Sequence, residues 1–336
     1  MQSRDIIRAW GGFLIGRRPN LSIEITKECP LRCPGCYAFS EGHVGSGSGG
    51  PRRDLKQLHD LRGDALIEGV IDLVRRFRPL HLSLVGGDPL VRYRELEVLV
   101  PRLLDHGLFL QIVTSAFRPL PAAWSGLDRL GLVVSVDGLQ PDHDLRRQPA
   151  TYARILKNIE GQHVAVHCTV TSGMARRPGY LDEFVELWST NPNVKKIWFS
   201  IFTPQRGQEL EEIPTPGERA AIIAALFRLR LLYPKLEMPH GMIEALRHPP
   251  ASPRDCVFAR STTTISADLR TEIGPCQFGG DPDCARCGCI ASMGLAAVAA
   301  HRLPGGLRVG AIFNASAAIG TAVSSFTLPR VLRRLD

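Results

Sequence analysis

At 336 residues, with 44% hydrophobic and 22% charged side chains, the chain can bury the core of one large α/β domain, or of a barrel with a smaller appendage. Its net charge of +8 is dispersed over pairs such as Arg17-Arg18, Arg52-Arg53, Arg75-Arg76 and Arg146-Arg147, which gives no nucleic-acid signal. No apolar run approaches the ~20 residues of a membrane span, and MQSRDIIRAW carries charges where a secretion signal would be apolar, so a cytoplasmic protein is expected.

The elements follow from periodicity. DIIRAWGGFLIGRR places Ile6, Ile7, Trp10, Phe13 and Leu14 on one face of a helix flanked by basic residues. Such a helix could rest on anionic lipid as a peripheral contact. Packing across the bottom of a barrel is the preferred reading, because Gly11-Gly12 weakens the helix. LSIEIT then reads as a strand, followed by the cysteine-bearing ECPLRCPGCYAF and the Gly/Ser-rich SEGHVGSGSGGPRR, residues 40–53, expected to be a flexible loop or lid. A helix is expected over residues 63–76, a strand at HLSLV and a helix over residues 93–105. FLQIVTS, LVVSVDG, VAVHCTVT and KKIWFSIF supply four more strands, with helices over 152–160, 181–190 and 216–232. Six β-α units in alternation predict a parallel sheet with helices outside: an α/β fold, as a partial (β/α)6 TIM-like barrel. A proline-rich stretch over 239–253 reads as the linker into a small C-terminal cysteine-rich domain. The expected division is a lead-in (1–20), a barrel (21–238), the cysteine-rich unit (239–300) and a tail (301–336) whose FTLPRVLRRLD is again basic and amphipathic.

Eight of the nine cysteines fall in two groups, which in a reducing compartment suggests metal binding rather than disulfides. Cys29, Cys33 and Cys36 are spaced C-x3-C-x2-C; Cys256, Cys276, Cys284, Cys287 and Cys289 form the second group. Three thiolates can hold three corners of a [4Fe–4S] cube and leave one iron free for another ligand, whereas a structural metal site is closed. The alternative is zinc, with Cys33 and Cys36 joining Cys284 and Cys287 in one four-thiolate site. Cys168, inside an apolar run, reads as core.

C-x3-C-x2-C followed by Tyr37, at the end of a first strand, resembles the signature of the radical S-adenosylmethionine (radical SAM) superfamily. VGGDPL, after the second strand, resembles that family's GGEP motif, with Asp88 where Glu is more usual. SVDGLQPDHDLRR is similar to the S-x-D-G…H-D-x-x-R pattern of members with extra clusters, matching Ser135, Asp137, Gly138, His143, Asp144 and Arg147. The resemblance spans residues 21 to 207. It implies a [4Fe–4S] cluster on Cys29, Cys33 and Cys36. It also implies reductive cleavage of S-adenosylmethionine to methionine and a 5′-deoxyadenosyl radical that takes hydrogen from a substrate. Cofactor contacts would come from Tyr37, Gly86, Gly87, Asp88, Ser135 (to the ribose) and Arg147 (to the methionine carboxylate); no catalytic side chain is singled out. CVFARSTTTISADLRTEIGPC with DPDCARCGC resembles the family's C-terminal auxiliary-cluster (SPASM/twitch) domain in its short form. A second [4Fe–4S] cluster would then lie on Cys256, Cys276, Cys284 and Cys287, with Cys289 a spare or a replacement, around a hairpin-like run. Zinc remains the alternative for this group. An electron donor such as a flavodoxin or ferredoxin is implied, and a peptide or lipid-like substrate. The rival readings are a zinc-stabilised, non-catalytic binding protein and an adenosyl-transferring member of the same superfamily.

Overall fold

The computed structural model describes residues 3–39, 43 and 59–327. Residues 40–53, apart from His43, and the basic stretch beyond 327 therefore lie outside the described residues. The elements in chain order are α1 (Ser3–Leu14), β1 (Asn20–Glu24), α2 (Gly63–Phe77), β2 (His81–Val85), α3 (Tyr93–Asp105), β3 (Phe109–Thr114), β4 (Leu130–Ser135), α4 (Gln140–Arg147), α5 (Tyr152–Asn158), β5 (Val164–Val170) and α6 (Ser172–Ala175). There follow α7 (Tyr180–Thr190), β6 (Val194–Ile201), α8 (Pro216–Leu232), α9 (His240–Ala245), α10 (Val257–Ser261), β7 (Thr262–Ile265), α11 (Ile290–Ala300) and α12 (Val309–Thr327).

Strand alternation sorts the side chains. Leu21, Leu82 and Leu110 lie side by side in register, as do Ile23, Leu84 and Ile112, and all six are buried. The intervening row carries Ser22, Ser83 and Gln111, a polar face on the other side of the sheet. The apolar row meets helices such as α2, whose Leu66, Ile67, Val70, Ile71 and Val74 are buried at helical spacing. α8 begins with a complete capping box, Thr215 and Glu218, and Pro216 in its first turn.

The sheet has seven strands in the order β6-β5-β4-β3-β2-β1-β7, every pair parallel. Strands one to six follow one another in sequence, the partial barrel expected of six β-α units, and the sheet is open between β6 and β7. β7 comes from the hairpin-like run: Thr262–Ile265 extends the sheet beside β1, and the return is one antiparallel bridge, Ile265 to Glu272. The proline-rich stretch is packed rather than free, since Ile243 and Leu246 are buried and Arg219 of α8 donates to the Leu246 carbonyl. The C-terminal stretch contains the 19-residue α12, whose Phe313 meets Phe13 of α1 edge-on at 4.8 Å. Asp5 of α1 pairs with Arg129 at 3.6 Å, just ahead of β4. This places α1 at the amino-terminal end of the sheet.

Candidate functional site

The first cysteine loop starts where β1 ends, and a polar frame fixes it. Asp60 accepts from Thr26 Oγ1 at 2.6 Å and from the Lys27 N–H at 2.9 Å. Arg92, buried, donates to Glu28 at 2.9 and 3.3 Å and to Asp60 at 3.1 Å. The GGDP turn after β2 is stitched to the same loop: the Gly87 and Asp88 N–H groups donate to the Thr26 and Glu28 carbonyls at 2.8 and 3.0 Å. A Cβ on Gly86, whose φ is +133°, would lie 2.3 Å from the Thr26 carbonyl oxygen, and one on Gly87 would lie 2.2 Å from that of Glu28. The close approach these glycines permit is therefore to the cysteine loop's own backbone.

Asp88 is turned inward. It accepts from the Leu90 N–H (3.0 Å), Thr114 Oγ1 (2.7 Å), the Ser115 N–H (2.8 Å) and Ser115 Oγ (2.5 Å). Burial pushes its pKa up against those four donors. Its carboxylate ties the end of β3 to the GGDP turn, which explains the small polar residues of IVTSA. His143 is likewise structural: its Nδ1 accepts from the Asp137 N–H at 3.1 Å and its Nε2 reaches the Ala150 carbonyl at 2.8 Å.

Asp137 is the hub beyond β4. It accepts from Arg147 Nε (2.7 Å), Arg146 Nε (3.2 Å) and the Thr169 N–H (3.1 Å). Burial alone would raise its pKa, yet Arg147 and Arg146 hold its carboxyl well below the usual carboxylate range. Arg146 also pairs with Glu212 and donates to the Pro34 carbonyl at 2.9 Å, so it clamps the cysteine loop from the far side of the mouth. Sequence reasoning missed Arg146 and Glu212. Their only signal was the doubled arginine, because the partner lies 66 residues away. Ser135 is buried at the end of β4, beside His167 of β5. Burial pushes Cys29 up to about 11 and raises Cys33 and Cys36 as well, while Arg147 and Arg146 pull the latter two back.

The second group opens at the same end of the sheet. The Ile201 N–H, at the end of β6, donates to the Gly288 carbonyl at 3.0 Å, and a Cβ on Gly288 would lie 2.1 Å from Ile201 O. Only glycine fits between Cys287 and Cys289. Cys256, Cys276, Cys284, Cys287 and Cys289 all line one recess, with Thr203, Phe278 and Ser292. Arg219 clasps its wall by donating to the Cys287 carbonyl at 2.7 Å. Cys256 lies 3.2 Å from Ser292 Oγ, and Gln277 donates to Cys289 at 3.2 Å. Burial pushes Cys276 up to about 12 and Cys284 up to about 11, and raises Cys287 and Cys289.

Between the groups stands an aromatic wall. Tyr37 meets Phe278 edge-on at 5.2 Å and His43 at 5.4 Å. His43 bridges Glu24 of β1 (2.6 Å) and the Phe278 carbonyl (2.9 Å). The Glu24 interaction raises the His43 pKa, although burial by itself would lower it.

The donor set suits iron–sulfur chemistry. The recess gathers the five C-terminal thiols, while Cys33 and Cys36 do not line it. Among the described residues no three His, Cys, Asp or Glu side chains converge on one point as ligands of a single ion would. A cube, whose cysteines bind separate irons, does not need that convergence.

A sequence model described as the Radical SAM superfamily matches residues 23–187. No curated protein matches the chain. Among solved structures, native anSMEcpe with bound AdoMet is similar over 77% of this chain and 74% of that one, with a TM-score of 0.54 and 15% identity. SuiB of Streptococcus suis bound to precursor peptide SuiA is similar over 87% of this chain and 64% of that one, with a TM-score of 0.53 and 14% identity. This chain thus spans just under two thirds of the length of SuiB. At these identities the likeness is one of fold.

Proposed function

We propose that the chain, whose residues 23–187 match the radical SAM superfamily, is a two-cluster enzyme that takes hydrogen from a peptide substrate. When bound, a [4Fe–4S] cluster supplies the electron that cleaves S-adenosylmethionine into methionine and a 5′-deoxyadenosyl radical. Cys29, Cys33 and Cys36 would hold it, and the frame of Asp60, Arg92 and Glu28 fixes their loop. Arg147, held by Asp137 through Nε and near enough to Cys33 and Cys36 for their charges to act on it, would offer its Nη groups to the methionine carboxylate. Ser135, at the end of β4, would meet the ribose, and the Gly86-Gly87 turn after β2 would contribute backbone groups to the cofactor. Cys256, Cys276, Cys284 and Cys287 would hold the second cluster, with Gln277 bonded to the fifth thiol, Cys289. Tyr37 and Phe278 screen one group from the other, and keeping water from the radical is the service the protein must provide. Electrons would come from a donor of the flavodoxin or ferredoxin class.

The observation that carries this reading is the meeting of both thiol groups at the carboxyl ends of β1 and β6. The peptide assignment is supported by SuiB, solved with a precursor peptide. Anaerobic reconstitution with iron and sulfide, then dithionite and S-adenosylmethionine, tests it by chromatography for 5′-deoxyadenosine. Nucleoside from the wild type and none from Cys33→Ala is the expected result. A colourless protein that takes up zinc and no iron overturns it, and an adenosylated product would replace hydrogen abstraction by adenosyl transfer.

A further inference from the structure

At the end of the sheet opposite the cysteines lies a cavity of about 260 Å³. Arg8, Arg17, Arg18 and Arg78 line it with Ile15, between α1 and the residues leading into β1 and β2. Arg18 pairs with Glu272 at 3.0 Å. Among the described residues no carboxylate pairs with Arg8, Arg17 or Arg78. Four guanidinium groups around one space repel one another, and a bound anion relieves that repulsion. Arg78 caps α2 in a left-handed conformation, φ 48°, at a place where glycine is usual. A strained backbone is thus retained where the side chain lines the cavity.

Apolar side chains stand close by: Ile15, 49% exposed, lines the cavity, Leu14, 42% exposed, precedes it in the chain, and Ile319, 51% exposed, precedes Gly320, where the backbone of α12 meets that of Phe13 and Gly16. A soluble phosphate would satisfy the arginines and leave these three side chains in water. A bilayer covers both.

We propose that this cavity seats the phosphate of an anionic lipid headgroup, with Leu14, Ile15 and Ile319 entering the acyl border. Guanidinium forks match phosphate oxygens, and each basic side chain at an anionic surface strengthens partitioning about fivefold. Among the described residues no helix is long and apolar enough to cross a membrane, so the contact is made on the surface. α1 packs on α12 through Phe13 and Phe313, while Arg17 and Arg18, just beyond its C-terminal end, line the cavity that meets the lipid.

The test is sedimentation of the full chain with equimolar phosphatidylglycerol–phosphatidylcholine vesicles and with phosphatidylcholine alone. Pelleting with the anionic vesicles only is expected, weakened more than about tenfold by Arg8→Glu with Arg78→Glu and by raised salt. Leu14→Ser with Ile15→Ser leaves the charge intact and is expected to weaken it at least about threefold. Unchanged melting temperature and iron content show that the variants fold. No pelleting, or pelleting undiminished in both variants, overturns the proposal. Pyrophosphate binding that is read by thermal shift and lost in the arginine variant, without vesicle binding, overturns the lipid assignment. None of these readouts depends on S-adenosylmethionine cleavage.

Discussion

Cys29, Cys33 and Cys36 lie half-buried on a loop with Arg146 and Arg147 beside them, whereas Cys256, Cys284, Cys287 and Cys289 are buried in a recess walled by the C-terminal segment. Burial raises the thiol pKa of Cys29, Cys33 and Cys36 in the first group and of Cys276, Cys284, Cys287 and Cys289 in the second, so loading iron on either releases protons. They differ in what else can approach. Beside the first stand two guanidinium groups, Arg146 spent on Asp137, Glu212 and the Pro34 carbonyl and Arg147 held by Asp137 through Nε; around the second, Ser292, Gln277 and the Arg219 clasp fill the surroundings. The contrast separates a site open to exchange from one that is braced.

The sharpest break in that contrast is Cys33→Ala, expected to reduce 5′-deoxyadenosine formation at least about 100-fold while the second group keeps its iron. Iron analysis with chromatography reads both. Next is Arg147→Met, which removes a charge partner of the buried Asp137. S-adenosylmethionine binding should weaken by about 2–3 kcal/mol with iron content unchanged, and calorimetric titration measures it; equal binding by the variant would remove Arg147 from the site. Cys276→Ala should strip iron from the recess and lower the melting temperature, yet leave nucleoside formation within roughly threefold. Loss of the nucleoside as well would show that the two groups do not act apart. Gly288→Ala forces a Cβ to 2.1 Å from Ile201 O and should cost about 1–3 kcal/mol by denaturant unfolding.

The smallest effect lies between the groups. The His43 pKa is raised in the fold by Glu24, so this pair stabilises fully below the ordinary value of 6.5 and fades as pH rises through the raised one. The melting-temperature gap between wild type and His43→Gln should therefore be larger near about pH 6 than near about pH 9. A gap that widens with pH would refute the protonated pairing.

Much of this was legible in the sequence because it is local. HLSLV is β2, and the spacing over residues 63–76 is α2 with one further residue. The cysteine motifs and GGDPL also announced themselves, and they fall at the carboxyl ends of the strands as expected. What escaped depends on partners far along the chain. Arg146 with Glu212 and His43 with Glu24 carry no spacing rule, since each is chosen by the fold. TTTI read as half of a hairpin because its neighbour in sequence is close, but the β1 edge competes for it and wins four of its residues. α12, rich in Ala, Ser and Gly, shows too little periodicity to be read as a helix. The GGDP turn also does a structural task that its motif did not announce: Gly87 and Asp88 bond the cysteine loop and the end of β3.

That edge pairing also has a timetable. Asn20 of β1 donates to Ser261, 241 residues later. At about 5–20 residues per second of synthesis, the ribosome needs on the order of tens of seconds to deliver β7 after β1 has emerged. Until then the strand that carries the first cysteine loop has a bare side, a template for pairing with other chains. The nascent protein is thus most vulnerable to misassembly, and its first thiols least sheltered, during the interval before its last strand arrives.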